Sequence, residues 1–103
     1  MTALGAYVTA LGATLAIEAP VVVLFAPARR AEALAAAIAI NLVSHPCATL
    51  LASGTLPWAS VECLVALSEA LALRWALGLS PTRAVLASFT ANALSALLAF
   101  FLF

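Results

Sequence analysis

This sequence predicts an all-α integral membrane protein, an up-down bundle of four transmembrane helices, and three observations support that expectation. Of 103 residues, 67% are hydrophobic and only 8% charged, with a mean hydropathy of +1.23. A soluble domain has about 45–50% apolar and about 25% charged residues, so this chain has too few polar groups to cover itself in water. The apolar residues also gather into four runs, about 3–26, 33–52, 58–78 and 82–103, and a helix needs roughly 20 residues to cross the hydrocarbon core. Finally, the runs are joined by very short connections, which force antiparallel neighbours.

The first run has no Lys or Arg before it, so it reads as a retained span and not as a cleaved leader. It ends at "PARRAE", a charged, proline-led break. The second run ends in "SGTLP", where Gly54 can close a helix and Pro57 can open the next. "GLSPT" repeats the device: Gly78 is placed to cap the third helix, Ser80 to cap the start of the fourth, and Pro81 to be its first residue.

Arg29 and Arg30 lie in the first loop, and Arg74 and Arg83 flank the third. By the positive-inside rule those loops are cytoplasmic and both termini lie outside. Tyr7, Trp58, Phe100, Phe101 and Phe103 are then expected at the outer interface, with Phe25 and Trp75 at the inner one. The chain has no Lys or Asp and a formal net charge of zero. It therefore lacks the basic stripe that nucleic acid requires.

Shifting the sequence on itself by 51 residues aligns the first hairpin with the second. Glu18-Ala19 falls on Glu69-Ala70, Asn41 on Asn92 (the two asparagines of the chain), Ser44 on Ser95, and Tyr7 on Trp58. Two tandem hairpins of this kind would be related by a pseudo-twofold axis along the membrane normal. Chance alignment of rare residues in an Ala- and Leu-rich chain is the alternative.

The polar residues inside the runs are the candidates for function. Glu18, Asn41, Glu69 and Asn92 all fall within about two turns of the midplane at ~1.5 Å of rise per residue. They sit on polar stripes: Tyr7, Thr14 and Glu18; Asn41, Ser44 and His45; Glu62 and Glu69; Ser88, Asn92 and Ser95. The spacings are helical, so the stripes can converge inside the bundle. A charge at the bilayer centre costs at least about 2.5–3.5 kcal/mol, so these carboxyls are expected to be neutral or paired, with His45, Arg74 and the asparagine amides as available partners. Pro20 and Pro46 each free a backbone carbonyl nearby, those of Ala16 and Leu42. Gly5, Thr9, Gly12 and Ala16 form a small-residue stripe expected to pack closely on another helix. Cys47 and Cys63 form no redox or metal motif by spacing. They are expected to be buried small hydrophobes, with a disulfide or shared soft-metal site as the alternative.

These residues point to binding or relay of a cation or proton, a transport-type role. Glu18 and Glu69 would be the central acceptors, Asn41 and Asn92 the orienting amides, and His45 and Glu62 the outer ligands. Imidazole with carboxylate suits a divalent metal such as Zn²⁺, Mn²⁺ or Fe²⁺, which makes such a metal the candidate cofactor. One short-looped bundle is thin for a translocation path, so a homo-oligomer or a larger membrane complex is expected. Two other readings stand beside this one. The first is a non-catalytic subunit or assembly component of a larger complex. The second is an intramembrane enzyme or lipid-handling protein, although no catalytic motif nominates a nucleophile: Ser44 and His45 are adjacent and point about 100° apart on a helix.

Overall fold

The computed structural model describes residues 2–102 and is all-helical. Helix α1 spans Ala3–Phe25, a 3-10 turn follows at Pro27–Arg29, and α2 spans Arg30–Ala52, α3 Trp58–Leu77 and α4 Pro81–Leu102. Each boundary has a local cause. The Thr2 hydroxyl accepts from the Gly5 N–H at 2.9 Å and caps α1, and Pro27 stops that helix because the residue before a proline avoids the α region. The second helix starts three residues earlier than expected. The Arg29 N–H reaches the Ala26 carbonyl at 3.0 Å, so the loop winds into a turn that runs directly into α2. Glu32 lies in the first turn of α2, where the helix dipole favours an anion, and pairs with Arg29 at 2.6 Å.

The other two connections follow the sequence closely. Gly54 closes a turn onto Leu51 at 3.2 Å, and Pro57 immediately precedes α3. Gly78 takes the left-handed conformation (φ 65°, ψ 26°) that glycine adopts without steric penalty. The Ser80 hydroxyl accepts from the Arg83 N–H at 3.2 Å, and Pro81 opens α4.

The helices pack in a ring, α1 on α2, α2 on α3, α3 on α4 and α4 back on α1, in a bundle 39 × 26 × 22 Å. Its interior is unusual in what it contains. Ala19, Val22, Ala26, Ala33, Ala37, Leu73, Leu77 and Ala87 form the apolar core, which lies toward the arginine-bearing end. Glu18, Asn41, Glu69 and Ser88 are buried as well, and the largest completely buried side chains are only Val61 and Ser88. Apart from Leu73 and Leu77, most large apolar residues point outward instead, Leu24, Val43, Leu50, Leu71 and Trp75 among them. Small and polar inside with large and apolar outside is the arrangement of helices that associate in lipid, where close backbone approach and interhelical hydrogen bonds replace the hydrophobic driving force.

Three helical segments, Ala3–Phe25, Pro27–Leu51 and Pro81–Phe101, are long and apolar enough to cross a membrane. Helix α3 has the length but carries Glu62, Glu69 and Arg74.

Several expectations are corrected. Cys47 and Cys63 are unpaired and exposed on the outside of the bundle, neither buried nor bridged. Thr9, Gly12 and Ala16 face outward and Gly5 is only half-buried, and a Cβ added at Gly12 would meet nothing within 4 Å. The small-residue stripe is therefore mostly turned away from the neighbouring helices, because α1 turns its other faces to α2 and α4. Tyr7, expected on an interfacial surface, is half-buried with its ring against His45. Phe103 lies outside the described residues.

Candidate functional site

The helix ring is filled at one end and hollow at the other. At the filled end, two arginines tie the elements together. Arg29 Nη1 donates to the Leu77 carbonyl at 2.8 Å, joining the first loop to the end of α3. Arg83 Nη1 donates to the Phe25 carbonyl at 2.9 Å, joining the start of α4 to the end of α1. Both use terminal carbonyls that have no intrahelical partner, where a cation also complements the helix dipole.

Toward the other end the four helices surround a cavity of about 480 Å³. Alanine and valine on its walls leave the space, with Trp58, Thr49 and Phe100 among the residues toward its mouth. Its polar lining is the set that helical spacing brings inward: Thr14 and Glu18 from α1, Asn41, Ser44 and His45 from α2, Glu62 and Glu69 from α3, and Asn92 and Ser95 from α4. All six candidate site residues thus face one space.

Glu18 and Glu69 are the deepest ionisable groups, 3% and 5% exposed. The side chains of Asn41 and Ser95 approach the Glu18 carboxyl, and that of Asn92 approaches Glu69. Glu18, Glu69 and Glu62 lie close enough to interact electrostatically. The amides are anchored in matching fashion. Asn41 Nδ2 donates to the Ala37 carbonyl at 2.9 Å and Asn92 Nδ2 to the Ser88 carbonyl at 2.8 Å, each one turn back on its own helix. An amide nitrogen has two hydrogens, so one orients the side chain and the other remains for the carboxyl. Ser88 Oγ donates across to the Ala66 carbonyl at 2.5 Å, linking α4 to α3, and Ser95 reaches Thr14 at 3.4 Å.

Among the described residues no cation pairs with these carboxyls, and the only ion pair is Arg29–Glu32. Arg74, expected as a partner, is exposed on the outside of the bundle in a shallow groove between α3 and α4. It sits on the opposite face of α3 from Glu69 because five residues carry the helix well past a full turn. His45 packs edge-to-face on Tyr7, with ring centroids 5.1 Å apart, and its Nδ1 is buried without a hydrogen-bond partner. Among the described residues, no three His, Cys, Asp or Glu side chains assemble into a metal-ligand cluster, so the geometry gives the divalent-metal reading no support.

No family model, curated protein or solved structure matches this chain.

The Tyr7–His45 contact and the two arginine-to-carbonyl bonds escape sequence reasoning. Tyr7 lay on a polar stripe, but nothing in spacing could pair it with a residue 38 positions away. A loop arginine reads equally well as a topology signal alone.

Proposed function

We propose that this chain is a small polytopic membrane protein whose four helices all span the bilayer and whose buried layer binds or relays a cation or proton. One observation carries the reading. Two carboxyls more than nine-tenths buried lie in a cavity, with no countercharge beside them among the described residues. Burying such groups is costly unless their protonation or ligation is used. Glu18 and Glu69 are the exchangeable acceptors in this reading, Asn41 and Asn92 orient them, and His45 and Glu62 form the outer stage. Helix α3 crosses with the rest: Glu62 and Glu69 face the interior, and Arg74 lies one turn from the helix end, where a long side chain can reach the headgroups. With all four arginines at the filled end, that end is cytoplasmic, and the termini and cavity mouth are outside.

The matching hydrogen bonds of Asn41 and Asn92, and the equal burial of Glu18-Ala19 and Glu69-Ala70, support an ancestral duplication of one hairpin. The outward small-residue face of α1 supports a second copy or a larger membrane partner packing there.

The test is isotope-edited infrared spectroscopy of the reconstituted protein, with proton release into the medium recorded on cation addition. Carboxyl-proton signal should fall in both Glu18→Gln and Glu69→Gln, and cation-evoked proton release should be lost. If both variants leave proton binding, proton release and metal content as in the wild type, the reading is wrong.

A further inference from the structure

The donor and acceptor inventory of the cavity narrows what can bind there. This inference rests on the function proposed above and specifies its ligand. Two ionised carboxylates offer about eight lone-pair positions. Two amide donors approach them, Asn41 at Glu18 and Asn92 at Glu69, and the one Ser95 hydroxyl hydrogen is shared between Glu18 and Thr14. Several other donors nearby are committed to backbone carbonyls. The second amide hydrogen of each asparagine goes to a backbone carbonyl, as does the Ser88 hydroxyl, and the Thr49 hydroxyl goes to the His45 carbonyl at 2.9 Å. Set against about eight lone-pair positions, the donors that reach the two carboxyls are few, so the floor is rich in acceptors. Acceptors left unsatisfied in a low-dielectric interior are costly, and charge-assisted bonds to them are correspondingly strong.

The size and walls of the cavity add a second, independent restriction. A water molecule occupies about 30 Å³, so a space of about 480 Å³ greatly exceeds what a proton or bare ion needs. Above the carboxyl layer Ala13, Ala48, Val61 and Val65 form apolar wall beside His45 and Glu62, with Trp58 and Phe100 toward the mouth. Aromatic faces there suit a cation or an apolar ring in transit.

We infer that the cavity binds an organic ammonium ion that carries its own N–H donors on a small apolar body, the ammonium seated between Glu18 and Glu69 and the apolar body in the alanine- and valine-lined shaft. A primary ammonium brings three donors to a floor rich in acceptors. A quaternary ammonium brings equal charge and none.

Trp58 lines the cavity and Trp75 is 88% exposed on the outside, so a Trp75→Phe background makes Trp58 fluorescence a local reporter. Benzylammonium and benzyltrimethylammonium are titrated into that protein in lipid nanodiscs, with benzyl alcohol as the uncharged control. Benzylammonium should bind saturably, at least tenfold more tightly than benzyltrimethylammonium, with no saturable response to the alcohol. Glu18→Gln and Glu69→Gln, each with an unchanged melting temperature, should lose that preference. Equal affinity for the two cations overturns the inference, as does the absence of saturable benzylammonium binding. If inorganic cations still release glutamate-dependent protons in either case, the proposed function survives and only the ligand class falls. If the glutamate variants change neither binding nor proton release, both fall together.

Discussion

Val43 and Ser44 are adjacent in sequence and at nearly equal depth, yet one faces the outside of the bundle and the other the cavity, and that contrast gives the most direct test of the bundle. Val43 is two residues from Asn41, the midpoint of α2, so it lies within about 3 Å of the helix centre at ~1.5 Å per residue. It is 69% exposed on the outside, which in a bilayer means exposed to acyl chains. Ser44 lines the cavity. On insertion scales a central valine contributes about −0.3 to −0.6 kcal/mol and a central aspartate about +2.5 to +3.5 kcal/mol. Val43→Asp therefore moves the balance against insertion by roughly 3–4 kcal/mol. At a factor of ten per ~1.4 kcal/mol, that is about 100- to 1,000-fold. Ser44→Asp puts the same group at the same depth into a cavity roomy enough for water, and should cost far less. The assay is cotranslational insertion of the full chain into microsomes, read by resistance to carbonate extraction and by protease protection. Equal effects of the two substitutions would refute the assignment of faces. Insertion of Val43→Asp at the wild-type level, or a chain that stays monodisperse without detergent, would refute the bilayer as its solvent.

Three further outcomes are expected. Ala87→Leu, at a position with 0% exposure in the apolar core, should destabilise the bundle by about 1–3 kcal/mol through overpacking in a steric-trapping measurement in bicelles, whereas Leu86→Ala on the outside should cost well under 1 kcal/mol. Ser88→Ala removes the bond to the Ala66 carbonyl and should cost about 0.6 kcal/mol, with ~1.7 kcal/mol as the upper end, by the same method. Gly78→Ala meets no atom within 4 Å but inherits φ +65°, so conformational strain alone should lower stability by roughly 1–2 kcal/mol, seen as a reduced melting temperature without loss of helix content by circular dichroism.

The helix boundaries were legible because local chemistry sets them: Gly78, Ser80 and Pro81 act within a turn of themselves. The convergence of Glu18, Asn41, Glu69 and Asn92 was legible for a related reason, since helical spacing places side chains on a face wherever the helix then packs. What spacing cannot say is which helix covers which face. The Gly5, Thr9, Gly12 and Ala16 stripe has the composition of a contact but faces out, because α1 meets its neighbours through Glu18, Ala19 and Val22 instead. Cys47 and Cys63 failed in the same way, since a small apolar residue carries no signal separating the inner face from the outer. The cavity was invisible for a different reason: it depends on the volume left between four walls, to which each residue contributes only a fraction.

The uneven filling of the bundle has a mechanical consequence. Alanine contacts and the reciprocal Arg29–Leu77 and Arg83–Phe25 bonds clamp the helices at one end, and the opposite tips enclose open space. The clamp works as a fulcrum and each helix as a lever of about 30 Å, the length of 20 residues. A tilt of about 5° at the clamp displaces the far tip by roughly 2.5 Å, comparable to the size of a water molecule. For a bundle seated in a bilayer as proposed above, width at the tips would then follow the lateral pressure of the surrounding lipid, and bilayer thickness and tension would control access to the carboxyls.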